Sequence, residues 1–360
     1  MISAIEVGSV RALAPVCYEL LELGEEILID KKGFFTDEEL FDLKPFLVTF
    51  PDNSKELSHF LQQYNVKSLL FSVNVHDTYP LILARILDAE GIKTVHVLDY
   101  WSGYSYRMKL DDGILFQPTK YIVPDEYAAK MAISEGISKD RISVMGQPAI
   151  ADVEESYRLS SAQVNSPIKS LFPESNKVIL FVSEPVSADQ GNSLQENKHY
   201  RGYVERDALQ ILLKAVVQTS SQFRICVIPH PRQSVRELTN LWTSLGGDKY
   251  GVVLDGIRGR DLLPFVDGVS GMSSTLLYES WLVGKPVASI QPGLLNNSAR
   301  MLEHKENIIF VDQYKSAEKE VAGWLNNMNR GLKVNFHPDL EMHKNAPSRI
   351  AREVKSNSKT

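Results

Sequence analysis

The chain has 360 residues, 43% of them hydrophobic and 23% charged, and this composition excludes an intrinsically disordered protein. At roughly 100–200 residues per domain, the length predicts about two domains. The formal net charge of -6 gives no basic field that would attract nucleic acid, so no nucleic-acid partner is expected. Cys17 and Cys226 are the only cysteines, and therefore neither a disulfide framework nor a zinc site is predicted.

The two ends of the sequence bear on localisation. Glu6 and Arg11 interrupt the first apolar stretch, which is not the pattern of a signal peptide, and no apolar run reaches the roughly 18 residues of a membrane span. We therefore expect a cytoplasmic protein. The tail from Lys344 to Lys359 is basic. A solvated terminal helix is the favoured interpretation of that tail, and peripheral association with a membrane surface is the alternative.

Short β-branched runs alternate with longer amphipathic segments in the first half, which predicts βαβ units around a mostly parallel sheet. The predicted strands are Ile2–Val7, Glu26–Asp30, Phe46–Phe50, Ser68–Val73, Thr94–Leu98, Tyr121–Val123 and Ile142–Met145. The predicted helices are Val10–Leu23, Ser54–Tyr64, Tyr79–Glu90 and Glu126–Glu135. These elements define an N-terminal, Rossmann-like domain over residues 1–155.

A polar, proline-containing stretch over residues 156–177 predicts a linker, and a second domain follows over residues 178–335. Its predicted strands are Val178–Val182, Arg224–Ile228, Val252–Leu254, Gly268–Ser270, Val287–Ile290 and Ile308–Val311. Its predicted helices are Arg206–Gln218, Val235–Leu245, Thr275–Leu282 and Ala317–Asn326. Residues 336–360 are predicted to form a final helix, Leu340–Val354, and a tail. The predicted fold class is α/β, with two Rossmann-like doubly wound domains facing a cleft and the C-terminal helix packing back across the boundary.

Ligands of open α/β sheets bind outside the carboxyl ends of the strands, so the loops after strands are the places to search for a site. One strand runs into Pro229-His230-Pro231-Arg232. The two prolines restrict the backbone around His230, and an imidazole two residues from a guanidinium suits an anion such as phosphate. We predict a functional role for His230 and Arg232; a solvent-facing histidine in a stiff loop is the alternative.

A second loop leads from Gly271 into Ser273-Ser274-Thr275, where a helix is predicted to begin. The start of a helix presents unpaired amides and a positive dipole end, which together favour an anion. Capping explains one hydroxyl but not three in succession. Glu279, one turn further, can accept from ribose hydroxyls or complement the helix start. These residues, with Arg232, are the predicted binding site for a phosphate-bearing ligand.

The first half places polar residues after three predicted strands. They are Gly8 and Arg11 after the first strand, His76 and Asp77 after the fourth, and Asp99, Tyr100 and Trp101 after the fifth. A carboxylate at a strand end can act as a general base for an acceptor hydroxyl, and the two rings after Asp99 can stack on a sugar. Asp99 is the favoured base; Asp77 is a second candidate, for which helix capping is an equally good explanation.

Several of these segments resemble the GT-B nucleotide-sugar enzymes, which include glycosyltransferases and UDP-N-acetylglucosamine 2-epimerases. Lys120 to Pro148 resembles the end of their first domain, and Gly271 to Pro286 resembles their donor-binding stretch. His230-Pro231 together with Ser273-Ser274-Thr275 is similar to bacterial sialyltransferases, where both hold the CMP portion of the donor. The second domain of the epimerases usually opens with a His-Arg-Arg-Glu-Asn-like sequence, and this chain has Ser183-Glu184-Pro185 instead.

The resemblance implies a glycosyltransferase of polysaccharide biosynthesis. Such an enzyme would move a sugar, for example a sialic-acid-like nonulosonate, from a CMP- or UDP-linked donor bound by the second domain to a surface glycan or glycolipid precursor. Asp99, His230 and Asp77 would be the catalytic residues, and the acceptor side would comprise Gly8, Arg11, His76, Tyr100 and Trp101. No cofactor or metal is expected, because the helix amides, His230 and Arg232 can offset the leaving phosphate. The alternatives are a UDP-N-acetylglucosamine 2-epimerase-like enzyme and a non-catalytic, nucleotide-sugar-binding partner subunit.

Overall fold

The computed structural model contains two α/β units, each built around one parallel sheet. It describes residues 1–33, 35, 38–74, 77–162, 167–172, 177–219, 222–295, 299–328 and 335–356. The first unit comprises Met1–Asp152 together with Asp339–Thr360, and the second comprises Val153–Pro338. The predicted class of two doubly wound, Rossmann-like domains is confirmed, and the C-terminal segment of the chain returns to the first unit.

The sheet of the first unit has seven strands in the order β3-β2-β1-β4-β5-β6-β7, and the paired strands are parallel. The strands are β1 (Ile2–Ser3), β2 (Ile29–Asp30), β3 (Leu47–Val48), β4 (Ser68–Phe71), β5 (Lys93–Val97), β6 (Lys120–Val123) and β7 (Ile142–Val144). All five residues of β5 are buried, as expected for a central strand covered on both faces by helices.

The helices of the first unit are α1 (Val7–Glu22), α2 (Ser54–Gln63), α3 (Tyr79–Ala89) and α4 (Glu126–Ser134). The predicted strand Ile2–Val7 is too long, because α1 begins at Val7. Only three residues separate β1 from α1, and over so short a stretch hydrophobic periodicity does not mark the boundary. In consequence, Gly8 and Arg11 lie in the first turns of α1 and not in a loop after β1.

Two further helices close the first unit, α13 (Leu340–Lys344) and α14 (Ala346–Lys355). The prediction of one continuous helix over Leu340–Val354 is therefore wrong, because the chain forms two helices there. Pro347 stands in the first turn of α14, where its missing N–H costs nothing, whereas inside a continuous helix it would remove a hydrogen bond. α14 packs along α1, and its buried residues Ile350, Ala351 and Val354 join the core of the first unit.

The sheet of the second unit has six strands in the order β10-β9-β8-β11-β12-β13, again with parallel pairs. The strands are β8 (Lys177–Val182), β9 (Phe223–Ile228), β10 (Gly251–Val253), β11 (Gly268–Gly271), β12 (Val287–Ile290) and β13 (Ile308–Val311). Each overlaps a strand that the sequence predicts.

The helices of the second unit are α5 (Val153–Ser161), α6 (Pro167–Leu171), α7 (Val186–Gln190), α8 (Glu205–Thr219), α9 (Val235–Ser244), α10 (Gly259–Leu262), α11 (Thr275–Leu282) and α12 (Tyr314–Asn327). The stretch 156–177, predicted as a linker, includes α6 and most of α5. α5 packs against α10, with Val153 and Tyr157 buried. Among the described helices, none is long and apolar enough to cross a membrane.

Candidate functional site

The strand orders locate one crevice in each sheet where a ligand is favoured. In a doubly wound sheet, ligands bind outside the carboxyl ends of the strands at the point where the strand order reverses. That point lies between β1 and β4 in the first unit and between β8 and β11 in the second. The residues that follow these four strands, and β5 beside β4, are therefore the ones to inspect.

In the second unit, α11 starts directly beyond β11. Ser274 is the N-cap of α11, and its Oγ accepts the Leu276 N–H at 3.3 Å, while Thr275 is the first helical residue. Gly271 ends β11, and a Cβ at this position would lie 2.8 Å from the Val182 carbonyl oxygen of β8. Glycine thus permits the close approach of the two strands at the reversal point.

The donors of Ser273 already hold an anion, the carboxylate of Glu184. The Ser273 N–H donates to Glu184 Oε1 at 2.6 Å, and Ser273 Oγ donates to Oε2 at 2.9 Å. Glu184 follows β8, so this contact lies across the reversal point. Sequence reasoning noted Glu184 only as a departure from the epimerase sequence and missed its contact with Ser273. The place predicted for a phosphate is therefore filled by a side chain of the protein itself.

Arg201 is a second residue at this point that sequence reasoning missed. Its Nη1 donates to Ser273 Oγ at 3.0 Å, and its carbonyl accepts the Leu295 N–H at 2.8 Å. The next residue, Gly202, has a φ of 100°, and a Cβ there would lie 1.9 Å from the carbonyl oxygen of Gly293. These contacts fix the loop between α7 and α8 in a position that places the guanidinium of Arg201 beside α11.

Glu279 is fixed by an ion pair. Its Oε2 lies 2.7 Å from Nε of Arg260 in α10, and both side chains are largely buried. This pair joins α10 to α11 and holds the carboxylate in one orientation. The two roles predicted for Glu279, accepting from ribose hydroxyls and complementing the helix start, both stay predictions.

His230 and Arg232 follow β9 as predicted, but the guanidinium has another partner. Arg232 donates two bonds to Asp189, at 2.9 and 2.7 Å, on the surface. His230 is half-buried, and its Nδ1 accepts the Arg232 backbone N–H at 3.2 Å. Burial, and then the nearby Arg232 charge, lower the pKa of His230. The imidazole is therefore neutral near pH 7, and because Nδ1 accepts, its proton is on Nε2, available as a donor.

In the first unit, Asp99 forms a network just beyond the carboxyl ends of β4 and β5. Ser9 Oγ donates to Asp99 Oδ2 at 2.7 Å, and Arg107 forms an ion pair with Oδ1 in which both side chains are almost fully buried. Arg107 also donates to the carbonyls of Val73 and Ser102, at 2.8 and 3.1 Å. A Cβ on Gly8 would lie 3.5 Å from Asp99 Oδ2. The network brings two of the predicted residues, Gly8 and Asp99, close together and adds Ser9 and Arg107.

The remaining residues predicted in the first unit do not join this network. Asp77 Oδ1 accepts the Tyr79 N–H at 2.8 Å, which is the capping role at the start of α3. Trp101 is 2% exposed, and its Nε1 donates to Asp125 Oδ2 at 2.9 Å, so its ring packs in the core and presents no open face for a sugar. Tyr100 is partly exposed, Arg11 is exposed on α1, and His76 lies outside the described residues.

Within the described residues, no three histidine, cysteine or carboxylate side chains come together in a way that could ligate a metal ion. Both cysteines are buried, and burial raises the pKa of each thiol, to about 12 for Cys226. Neither thiol is a nucleophile at neutral pH.

Comparison with known proteins yields a fold and no sequence family. No protein-family model matches the sequence, and no curated protein matches it. Among solved structures, the UDP-GlcNAc 2-epimerase of Methanocaldococcus jannaschii superposes with a TM-score of 0.64 at 13% identity, over 99% of each chain. That of Neisseria meningitidis, solved bound to UDP-GlcNAc, gives 0.64 at 12% identity over 99% of each chain. Anabaena HepE, solved with UDP and glucose, gives 0.56 at 14% identity, covering 98% of this chain and 94% of that one.

These likenesses establish the fold class. The chain has a GT-B-like fold, with two Rossmann-like domains. At 12–14% identity, shared fold does not by itself carry function, which depends on the site.

Proposed function

We propose that the chain is an enzyme acting on a UDP-linked sugar of the UDP-GlcNAc type, by a 2-epimerase-like reaction. The observation that carries the proposal is the turn between β11 and α11, with its three consecutive hydroxyl residues, at the strand-order reversal of a sheet. The fold around that turn is matched end to end by UDP-GlcNAc 2-epimerases. A 2-epimerase-like reaction thus replaces glycosyl transfer as the first candidate function.

In this proposal the second unit binds the nucleotide. The amides and hydroxyls at the start of α11 take the diphosphate, since a helix start stabilises negative charge. Glu279, oriented by Arg260, accepts from the ribose hydroxyls. His230 donates from Nε2 to the leaving phosphate oxygen, which gains charge as the bond from the sugar C1 breaks. Phosphate binding at Ser273 further requires Glu184 to release the donors that it occupies.

The first unit supplies the proton acceptor. Inverting C2 of a sugar requires its C–H bond to break and to re-form on the other face, so a base must take that proton. We propose Asp99 for this role. Ser9 and Arg107 hold its carboxylate in place, and preorganisation of this kind is what a base needs. Asp77 is the less favoured candidate, because it caps α3.

The proposal is tested by incubating the purified protein with UDP-GlcNAc in deuterated buffer and following the sugar by NMR. We expect water to add at C1 as UDP leaves, so that the products are the free C2-epimerised sugar with deuterium at C2 and UDP, released without any other acceptor. Release of UDP only when a glycan or glycolipid acceptor is present would identify a glycosyltransferase. Binding of UDP-GlcNAc without any turnover would identify a non-catalytic, nucleotide-sugar-binding subunit.

A glycosyltransferase is retained as the second candidate because of Ser183-Glu184-Pro185. This sequence stands at the carboxyl end of β8 in place of the His-Arg-Arg-Glu-Asn-like sequence of the epimerases, and a carboxylate there changes the charge beside the ligand. If the protein is a glycosyltransferase, its acceptor is a glycan or glycolipid precursor. The exposed basic residues of α13 and α14, Lys344, Arg349 and Arg352, would then favour access to a membrane-bound acceptor.

A further inference from the structure

One side chain holds the backbone that carries Asp99. Nε2 of Gln147 donates to the carbonyl oxygens of Leu98 and Asp99, at 3.1 and 2.9 Å, so both amide hydrogens are used. Its Oε1 accepts the Ala149 N–H at 3.3 Å. Gln147 is completely buried, which leaves no water to replace these bonds. The end of β5 is therefore fixed through Gln147.

Gln147 is held in turn by the C-terminal segment of the chain. Its backbone N–H donates to Nδ1 of His343 in α13 at 2.9 Å, and His343 is also completely buried. The preceding residue, Gly146, has a φ of 100°, and a Cβ there would lie 2.5 Å from the Met342 carbonyl oxygen. Only glycine permits this approach, so the contact between α13 and the Gln147 turn is built into the sequence.

We infer that Gln147 and His343 are positioning residues for Asp99, and that α13, 196 residues further along the chain, is part of the first unit's site. The inference rests on the proposed function, in which Asp99 takes the proton. A reacting group must be placed to within a fraction of an ångström, and a displacement of about 1 Å can cost on the order of 100-fold in rate. Ser9 and Arg107 hold the carboxylate, whereas Gln147 and His343 hold the backbone from which it extends.

Three substitutions separate positioning from general stability. His343→Leu removes the acceptor for the Gln147 N–H, and Gln147→Leu removes the donors for the Leu98 and Asp99 carbonyls. His343→Asn is the conservative variant, because an asparagine oxygen can accept at the place of Nδ1. We expect kcat to fall about tenfold to a hundredfold in the two leucine variants, with KM for UDP-GlcNAc within about threefold of wild type, and His343→Asn to restore most of the loss.

Lys93→Met is the matched control. The Lys93 ammonium is buried and donates to the Ser356 carbonyl and hydroxyl, at 3.0 and 2.9 Å, and to Glu353 at 3.0 Å. Its loss loosens the end of α14 and lowers stability without touching Gln147. The inference is overturned if Lys93→Met loses as much kcat as His343→Leu at matched loss of melting temperature, or if His343→Leu keeps wild-type kcat.

A second readout keeps this inference distinct from the proposed function. Should the wild-type protein turn over none of the sugar nucleotides, the proposed function fails, and hydrogen exchange of residues 98–107 decides the inference alone. We expect faster exchange there in His343→Leu and Gln147→Leu, but not in His343→Asn or Lys93→Met. Equal exchange in all four variants would show that Gln147 and His343 do not hold the Asp99 backbone.

Discussion

Glu184→Gln tests whether Glu184 and the nucleotide phosphate compete for the same donors. Glu184 accepts from the amide and the hydroxyl of Ser273 at 2.6 and 2.9 Å. A phosphate that uses these donors must displace a carboxylate of the same charge. Glutamine keeps the size of the side chain and an oxygen that can accept, but it removes the charge.

The size of the effect follows from the two hydrogen bonds. A bond to a charged group contributes about 1.5–3 kcal/mol and a neutral one about 0.5–1.5 kcal/mol, so glutamine should hold Ser273 less tightly by roughly 1 kcal/mol per bond. Glu184 is half-buried, and solvent screening reduces the difference somewhat. A total of about 1.4–2 kcal/mol corresponds to UDP binding about 10-fold to 30-fold more tightly.

Calorimetric titration with UDP and with uridine measures this directly. Uridine lacks phosphate, so its affinity should be the same for wild type and Glu184→Gln. Glu205→Gln is the matched control, because Glu205 accepts in the same way from the amide and hydroxyl of Ser187, at 2.9 and 2.5 Å, at the start of α7 and not of α11. UDP binding that is unchanged or weaker in Glu184→Gln, with the fold intact, would refute the competition.

Three further predictions concern histidine and aspartate side chains. Asp99→Asn should lower kcat by roughly 10²–10⁴-fold with little change in KM. An unchanged kcat with a lower melting temperature would show that Asp99 is not the base and only stabilises the fold through its ion pair with Arg107. His230→Ala should slow single-turnover cleavage, less so for a donor with a better leaving group, and equal wild-type rates for two such donors would remove His230 from the site. Burial, and then Arg107, hold the pKa of His96 well below its usual value, so the unfolded chain binds more protons and stability should fall as pH drops below about 6.5. Urea unfolding at pH 7 and pH 5 should show a smaller loss in His96→Phe, while His59→Gln, which alters an exposed histidine, should behave like wild type.

The sheets could be predicted from the sequence because a buried parallel strand is a local signal. Most strands are short apolar runs bounded by polar or glycine residues, and burial of the central strands on both faces removes the need for alternation. Helices with little apolar periodicity were missed. α7 and α10 have five and four residues, fewer than two turns, and α5 lies in a polar stretch whose burial depends on α10.

Only some residues of the candidate site could be predicted from the sequence. Ser274 at the helix start and Asp99 at a strand end follow from local sequence. Glu184 and Arg201 reach Ser273 from 89 and 72 residues away, because β8 and β11 are neighbours in the sheet. Strand order is a property of the whole unit, and no spacing in the sequence encodes it. Trp101 shows the converse error, since an aromatic residue after a strand is as suited to the core as to a sugar.

The two units hold the carboxylates of Asp99 and Glu184 in different ways, and this difference suits the two residues to different roles in the proposed function. Asp99 is paired with a buried guanidinium, and its side chain is only 8% exposed, so displacing it would leave Arg107 with an uncompensated buried charge, at a cost of about 3–5 kcal/mol. Glu184 is half-buried and accepts from neutral groups of Ser273. If a phosphate takes over those donors, no donor is left unsatisfied, and the released carboxylate can reach water. Exchange with a ligand anion is therefore inexpensive at Glu184 and costly at Asp99, which suits the second unit, in the proposed function, to binding the diphosphate and the first to holding a carboxylate in a fixed position.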